Sequence, residues 1–393
     1  MTAVDSISAQ SRDLLALTMI PGLGPVRIDR LVRAAGSPGA VLGMSQSQLV
    51  RVEGIGQRTA SQIVTTRSSS HELAQRELDT LAENDCSMVT VLDEHYPPLL
   101  RAIPGAPPVL QYKGSLDPES HKHTMAMVGS RKCTIYGTEQ ANRFANSLGS
   151  AGFTIVSGGA RGIDSAAHRG SLDAGGQTIV VLGCGLGHVY PKENAKLFDR
   201  VVEQGGAVIS ELPFKTPPTS ENFPARNRII SGLSLGVLVI EAGRRSGALI
   251  TARHAVEDHG REVFAIPGRV DSAASGGSND LLKSGAHLVT DPGEIIEILE
   301  RSAGHLSRGA RAVSSPTSAR TQSSPPPPPP PEPIGEIDPV GRRILEALTQ
   351  ARTGDQLADH LGLEPGQIRA AATMLEIQGR IRRVGACFER TRP

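Results

Sequence analysis

Between residues 124 and 300, short apolar runs alternate with longer segments in which apolar residues recur at helical spacing. The runs are rich in β-branched residues and several end in glycine, which is typical of strands buried on both faces of a parallel sheet. The predicted strands are Ala126–Gly129, Thr154–Ser157, Thr178–Leu182, Ala207–Ser210, Val237–Ile240, Glu262–Ile266 and His287–Thr290. The predicted helices are Thr138–Ala151, Asp164–Ala174, Glu193–Gln204, Ala225–Ser231, Ala248–His259 and Asp280–Ser284. This alternation predicts an α/β fold built on a doubly wound, mostly parallel sheet.

The first 85 residues have an all-helical pattern that contains two copies of one motif. Ile20–Pro25 and Val52–Gln57 both contain hydrophobic-x-Gly-hydrophobic-Gly, and the helical segments Val26–Ala35 and Arg58–Thr66 follow them. The motif resembles the helix-hairpin-helix, whose glycine turn offers backbone N–H groups to a nucleic-acid phosphate. A tight turn between two packed helices would give the same pattern, and both interpretations stay open because the segment is not basic. We predict a small helical domain of the helix-hairpin-helix (SAM-like) type over residues 1–85.

Prolines are frequent in the stretch that joins this domain to the predicted sheet. They occur in Asp93–Arg101 and again in Pro104–Gly114. Proline excludes helix interiors and favours extended chain. We therefore predict a connector that ends in a strand, Val109–Lys113, at the margin of the sheet. The α/β domain is predicted to span residues 86–301.

A change of composition at residue 302 predicts the end of the α/β domain. Residues 302–336 are rich in Ser, Arg, Ala and Gly and contain the proline run Pro325–Pro331, which predicts a disordered, extended linker. Residues 337–393 predict three helices and a hairpin, the arrangement of a winged-helix-like domain, whose third helix either reads DNA or contacts protein. Its predicted elements are Pro339–Gln350, a helix capped by Thr353 that runs through Leu361 to Gly362, Glu364–Gln378 and the hairpin Arg380–Glu389.

Charge, hydropathy and cysteine spacing narrow the class of protein. The 393-residue chain has a formal net charge of +1, so a nucleic-acid site must be a local basic patch. It has no apolar stretch of membrane-spanning length and no signal-peptide pattern, and its four cysteines lack metal-ligand or redox spacing. We expect a cytoplasmic protein without membrane contact, metal or cofactor. Because aromatic residues are 3% of the chain and Trp is absent, a surface paved with stacking rings is not expected.

Loops that carry glycine and arginine follow several predicted strands. Glycine lets the backbone approach a ligand, and the carboxyl ends of parallel strands meet at one edge of the sheet. Arginine binds phosphate through its planar fork, and an aromatic ring beside it suits a stacked base. The alternative is that Arg226 and Arg228 pair with acidic residues inside the fold and that Arg131 is a surface residue beside a turn. The candidate binding residues are Gly129, Ser130, Arg131, Gly159, Arg161, Lys192, Phe223, Arg226, Asn227, Arg228, Arg245, Ser246 and Gly247.

No group of residues in the sequence predicts a nucleophile or a general acid–base pair. Asp164 is placed to cap the helix that it begins, and His168 in that helix has no serine or cysteine placed beside it as a nucleophile. Cys184 lies in a glycine loop, but we expect no neighbouring group to lower its pKa. We therefore predict no catalytic residue.

Five linked motifs fall in these loops. They are Gly129–Arg131, Ser157–Asp164, Tyr190-Pro-x-x-Asn194, Phe223–Ser234 and Glu241–Gly247. Together they resemble the DNA-processing protein A (DprA/Smf) family over about residues 93–291, and more loosely over both flanking modules. The proline linker is longer than in shorter family members.

The resemblance implies an extended Rossmann domain that binds single-stranded DNA without sequence preference. It further implies a homodimer that protects incoming DNA and loads RecA recombinase during natural transformation and homologous recombination. The DNA pocket would be Ser130, Arg131, Phe223 and the loop at Arg245. The dimer contacts would lie around Val263–Leu288.

The competing function is that of an enzyme, a nucleotide phosphoribohydrolase on a Rossmann fold. Those enzymes carry Pro-Gly-Gly-x-Gly-Thr-x-x-Glu after a strand, and the glutamate performs catalysis. The corresponding loop here, Ala242–Ala252, has no acid at that place, so the general acid–base group is missing. A dinucleotide-dependent dehydrogenase is not supported either, because no Gly-x-Gly-x-x-Gly opens the first helix of the α/β domain. We therefore predict a non-enzymatic protein that binds single-stranded DNA.

Overall fold

The computed structural model of the chain describes residues 7–119, 121, 123–301, 339–348, 352–363, 367–368, 371–372, 375, 380–384 and 387–390. The chain divides into two compact units, Met1–Ser315 and Pro316–Pro393. The predicted linker 302–336 and most of the predicted helix Glu364–Gln378 lie outside the described residues.

Five helices precede the sheet in the described chain: α1 Ala9–Thr18, α2 Pro25–Ala35, α3 Pro38–Gly43, α4 Gln46–Leu49 and α5 Gln57–Glu83. They bury an aliphatic core that includes Leu14, Leu31 and Ile63. The two glycine turns have the same backbone form, since Gly22 and Gly54 have φ of 77° and 81°. The N-cap residues of α2 and α5 are both glycines with φ −82° and ψ 170°. The sequence repeat is therefore a structural repeat, the predicted helix-hairpin-helix pair.

Nine strands of the described chain form one mostly parallel sheet: β1 Ser87–Thr90, β2 Val109–Gly114, β3 Thr124–Val128, β4 Thr154–Ser157, β5 Thr178–Val181, β6 Ala207–Ser210, β7 Gly236–Val239, β8 Glu262–Ala265 and β9 His287–Leu288. Their order is β1-β2-β6-β5-β4-β3-β7-β8-β9, and only β1–β2 and β2–β6 pair antiparallel. β3 pairs in parallel with β4 on one side and β7 on the other, so the strand order reverses at β3. In doubly wound sheets, ligands bind at the carboxyl ends of the strands beside such a reversal.

Helices pack on both faces of this sheet, because successive side chains of a strand point to opposite faces. Met125 and Met127 of β3 belong to one apolar core with Phe144, whereas Ala126 and Val128 belong to another core. The helices are α6 Pro98–Arg101, α7 Ile135–Ser150, α8 Ile163–Asp173, α9 Ala195–Glu203, α10 Asn222–Gly232, α11 Ala248–Arg253, α12 Gly276–Lys283 and α13, residues 292–301. The predicted doubly wound α/β fold is confirmed.

The connector differs from its sequence prediction. The prediction missed β1, which pairs with β2 and so moves the predicted strand Val109–Lys113 from the margin of the sheet to its interior. A strand of four residues is too short to show a clear period in the sequence. The prolines do not exclude helix, because Pro98 begins α6, where its missing N–H would have no helical partner anyway. The predicted single helix Ala248–His259 is α11 followed by a π-helical turn, His254–Asp258.

The second unit is a winged-helix domain, as the sequence predicts. It contains helices α14 Pro339–Ala347 and α15 Gly354–Leu361 and strands β10 Arg352–Thr353, β11 Ile381–Val384 and β12 Cys387–Arg390, with β12 between the other two. Thr353 and Gln356 cap α15 reciprocally, each side chain accepting the other's backbone N–H. Gly362 ends the helix with φ 63°. Both predicted ends of this helix and the hairpin β11–β12 are confirmed.

Candidate functional site

A cavity of about 770 Å³ opens at the carboxyl ends of β3 and β7. Its volume lies within the range of sites that hold a nucleotide-sized ligand. The predicted binding residues that line it are Gly129, Ser130, Arg131, Phe223, Arg226, Asn227, Arg245, Ser246 and Gly247. The reversal of strand order at β3 therefore brings three of the glycine- or arginine-bearing segments together, as the alternation of strands and helices predicts.

The loop after β3 is fixed by backbone contacts. Ser130 donates its N–H to the carbonyl oxygen of Glu241 at 2.7 Å, which ties this loop to the loop after β7. A Cβ atom at Gly129 would lie 2.5 Å from the Ile163 side chain and 2.9 Å from that same carbonyl oxygen. Glycine is thus required at 129 for the two loops to approach each other. The Ser130 hydroxyl accepts the N–H of Lys132 at 3.1 Å.

The carboxylate of Glu241 holds the end of this loop. The residue is 3% exposed, and its carboxylate accepts the N–H of Thr134 at 2.9 Å together with the Thr134 hydroxyl. The Thr134 hydroxyl in turn accepts the N–H of Gly137 at 3.1 Å and so caps α7. Glu241 is therefore engaged in positioning residues 130–137, a role that the sequence did not reveal.

An arginine and two aromatic rings pack against one another at the cavity. The guanidinium carbon of Arg131 lies 5.2 Å from the centroid of the Phe223 ring, a cation–π distance. The Tyr190 ring lies 5.3 Å from the Phe223 ring, centroid to centroid, with an angle of 39° between the planes. A Cβ atom at Gly183 would lie 2.7 Å from the Phe223 ring, so glycine makes room for it. The three side chains offer planar surfaces on which a base can stack.

Arg226 and Asp164 form the buried floor of the cavity. Arg226 is 4% exposed and donates from Nη1 to the carbonyl oxygen of Gly158 at 2.9 Å, while its Nε has no partner. Burial lowers the pKa of Arg226 to about 10, and burial raises the pKa of Asp164 above its usual value. A Cβ atom at Gly158 would lie within 2.8 Å of both side chains, so they adjoin each other at this glycine. Asp164 also accepts the N–H of Ala160 at 3.3 Å.

Three exposed cations border the cavity. Arg131, Lys132 and Arg245 line it, and none of the three has an ion pair within the described residues. Asn227 donates from Nδ2 to the carbonyl oxygen of Gly247 at 3.3 Å and so holds the loop that carries Arg245. Their charges are therefore free to attract an anion.

Four predicted binding residues do not line the cavity. Arg161 pairs with Glu193, and Arg228 pairs with Glu211 at 2.5 Å, the acidic pairing inside the fold that the sequence left open for Arg228. Gly159 is held by Asn194, whose Nδ2 donates to its carbonyl oxygen at 2.9 Å. Lys192 is exposed in a short 3-10 turn, Lys192–Asn194.

The sequence prediction left out several residues that line the cavity. Lys132 directly follows Arg131, and Tyr190 belongs to the Tyr-Pro-x-x-Asn motif, so the sequence contained a signal for both. The sequence predicts that Asp164 caps α8, but that helix begins at Ile163 with Gly162 at its N-cap, and Asp164 lines the cavity instead. Pro218, Ser220, Ile250 and Thr251 carry no pattern that distinguishes them from other surface or helix residues.

Two residues considered for catalysis are buried. His168 is fully buried, and its Nδ1 donates at 2.7 Å to the Thr178 hydroxyl, since that hydroxyl donates to the carbonyl oxygen of Ile155. Burial lowers the pKa of His168 to about 3. Burial also raises the pKa of the Cys184 thiol, which keeps it protonated. Among the described residues, no group of three or more His, Cys, Asp or Glu could hold a metal ion, and no helix could span a bilayer.

Three family models match the chain. Residues 87–300 match "DNA recombination-mediator protein A", residues 324–386 match "DprA winged helix domain", and residues 14–66 match "SAM-like Helix-hairpin-helix tandem". These matches follow the three structural parts of the chain, namely the sheet, the winged helix and the helical hairpins.

Individual proteins are also similar over long stretches. Protein Smf of Synechocystis is 34% identical over 386 residues, which cover 93% of this chain and 94% of that protein. Protein Smf of Escherichia coli is 49% identical over 207 residues, so the match spans only about half of each protein, 53% and 55%. The X-ray structure of DNA processing protein A from Streptococcus pneumoniae superimposes with a TM-score of 0.63 at 34% identity and covers 73% of this chain and 97% of that one.

Proposed function

Because the chain belongs to the DNA recombination-mediator protein A family, we propose that it binds single-stranded DNA in the cavity at the carboxyl ends of β3 and β7. The observation that carries this proposal is the Arg131 guanidinium over the Phe223 ring, beside Tyr190. A planar cation and an aromatic face suit a nucleotide whose base stacks while its phosphate is bound.

The proposed mode of binding is independent of sequence. Arg131, Lys132 and Arg245 line the cavity, have no ion pair within the described part of the chain, and would neutralise successive phosphates of the strand. Phe223 and Tyr190 would stack with any base, because every base has a π face. A duplex keeps its bases stacked on each other, so it can use the rim cations but not the rings. We therefore expect single strands to bind more tightly than duplex DNA.

The bound strand would then be handed to RecA recombinase, protected meanwhile from nucleases, during natural transformation and homologous recombination. The description of the family as a recombination mediator and the names of the relatives as DNA processing proteins support this role. We further propose a homodimer with contacts around Val263–Leu288. In its favour, Leu288 is 57% exposed and lies in β9, the edge strand of the sheet within the described residues.

We propose a binding protein and not an enzyme. Two carboxylates of the cavity and its loops already have partners. Glu241 accepts hydrogen bonds from Thr134, and Asp164 lies beside Arg226 on the buried floor. Neither is placed on the loop Ala242–Ala252, where a phosphoribohydrolase carries its catalytic glutamate. Incubation with nucleoside monophosphates tests this directly, and release of free base at a measurable rate would support the enzyme instead.

Fluorescence anisotropy tests the binding proposal. Labelled oligothymidylate and a duplex of the same length are titrated with the full-length protein at several salt concentrations. The proposal predicts tighter binding of the single strand at every salt concentration. Equal affinity for both would mean that the rings do not hold bases, and absence of binding would refute the proposal.

A further inference from the structure

We propose that Tyr136, outside the cavity, is a second base-stacking platform for the strand that leaves it. The inference rests on the proposed binding of single-stranded DNA and extends that site along the surface. Two Phe, Tyr or Trp side chains of the described residues are largely exposed, Tyr136 at 45% and Tyr190 at 38%. Tyr190 lines the cavity. Tyr136 does not line this cavity. Its exposure is unusual, because large aromatic side chains are normally buried.

The position of Tyr136 is fixed by the same contacts that form the cavity. It lies in the first turn of α7, whose N-cap Thr134 is bound to Glu241. Its hydroxyl donates to the carbonyl oxygen of Pro267 at 3.4 Å, so the tip of the ring is tethered while much of the side chain stays in solvent. A platform held at its base and at its tip does not need to be ordered when a base stacks on it, which lowers the entropic cost of binding.

The distance from the cavity suits a continuous strand. Tyr136 is five positions after Arg131 in the chain, so their Cα atoms are at most about 18 Å apart. Lys132 lies between them in the chain, is exposed, and among the described residues has no ion pair, so it can bind an intervening phosphate. A strand that stacks at Phe223 therefore reaches Tyr136 within a few nucleotides.

Neighbouring charge favours a nucleic acid as the occupant of this surface. The exposed residues Ile135, at 79%, and Tyr136 lie three and four positions after Lys132, and neither Lys132 nor Arg131 has an ion pair within the described residues. Cations beside an exposed aromatic ring are what single-strand binding grooves combine. Glu139 is exposed one turn further along α7, and its carboxylate repels phosphate, so it limits the platform to the first turn.

The test compares full-length variants on two lengths of oligothymidylate. A strand of about 4 nucleotides fills the cavity alone, and one of about 20 nucleotides also covers Tyr136. We expect Tyr136→Ala to bind the short strand as the parent does and the long strand roughly tenfold more weakly. Tyr136→Phe keeps the ring and loses only the hydroxyl tether, so it should lose much less affinity for the long strand than Tyr136→Ala does. Arg131→Ala should weaken both lengths.

A spectroscopic test uses the absence of Trp from the chain. Tyr136→Trp introduces a unique Trp, whose fluorescence should be quenched by the long strand and not by the short one. Leu73→Trp, at a site 44% exposed on α5, is the control and should not respond. The inference is refuted if Tyr136→Ala binds the long strand as tightly as the parent. It is also refuted if Tyr136→Ala changes the oligomeric state in size-exclusion chromatography and weakens both lengths equally. If Arg131→Ala has no effect either, the proposed cavity fails as well.

Discussion

The Arg131 guanidinium lies over the face of the Phe223 ring, 5.2 Å from its centroid, although the two residues are far apart in the chain. Arg131 follows β3, and Phe223 lies in the first turn of α10. The contact forms only because the strand order reverses at β3 and brings the two segments to the same end of the sheet. The ring keeps the cation oriented, and because Arg131 has no ion pair with any residue that the structure describes, its charge stays available for an anionic ligand.

Gly183→Ala should weaken single-strand binding without removing any side chain that touches DNA. The new Cβ would lie 2.7 Å from the Phe223 ring, so the ring must shift from its present position against Arg131. We expect affinity for oligothymidylate to fall roughly five- to tenfold, measured by anisotropy. Gly43→Ala is the matched control, because nothing lies within 4 Å of its Cβ position. An unchanged affinity of Gly183→Ala, with the protein folded, would show that the ring does not contribute.

Arg245 and Arg244 are neighbours with different roles. Arg245 lines the cavity and pairs with no acidic residue that the structure describes, whereas Arg244 pairs with Asp280 at 2.8 Å and does not line the cavity. Arg245→Ala should weaken binding of single strands of every sequence, because it removes a phosphate contact. Arg244→Ala should leave the affinity close to that of the parent. The same titration compares both variants, and equal losses in the two would indicate a general charge effect instead of a defined contact.

Arg228 should matter for stability and not for DNA contact. Its ion pair with Glu211 is mostly buried, with side chains 18% and 15% exposed. Removing one partner of such a pair leaves a buried charge, so Glu211→Gln should lower the free energy of unfolding by about 3 kcal/mol. Denaturant unfolding measures this. The folded fraction of Glu211→Gln should bind single-stranded DNA with parental affinity. A loss of DNA affinity in the folded protein would contradict a purely structural role for the Arg228–Glu211 pair.

Acid should destabilise the protein through His168. Its pKa is lowered from 6.5 to about 3 in the folded state, so its contribution to stability is fully present above pH 6.5 and is lost as pH falls toward 3. The loss amounts to about 1.4 kcal/mol per pH unit in that window. Asp164 acts in the opposite direction, because burial raises its pKa.

A substitution isolates the contribution of His168 from the others. His168→Leu cannot titrate and loses only the hydrogen bond to Thr178, because Nε2 has no partner. Its free energy of unfolding should fall less steeply than that of the parent between pH 6.5 and 4.5. Identical slopes in denaturant unfolding would contradict a neutral, buried imidazole.

The sequence predicts the sheet well because its strands are buried on both faces and therefore read as uninterrupted apolar runs. The sequence does not predict β1, because Ser87–Thr90 is short and only half of it is buried. At the site, glycine and arginine in the strand-end loops identified the segments that meet. The sequence could not distinguish free arginines from paired ones. Glu193 is distant from Arg161 in the chain, as Glu211 is from Arg228, and only folding brings each pair together. Exposure also has no local signature in the sequence, so the exposed ring of Tyr136 is found only in the three-dimensional structure.

The most direct test of the account is the salt dependence of oligothymidylate binding by Arg131→Ala. For single strands, each phosphate contact contributes a slope of about −0.7 to the plot of log affinity against log salt concentration. We predict weaker binding at low salt and a slope that is shallower by about 0.7 for this variant. Parental affinity and parental slope at every salt concentration would contradict the claim that Arg131 and its neighbours bind the phosphates of a single strand.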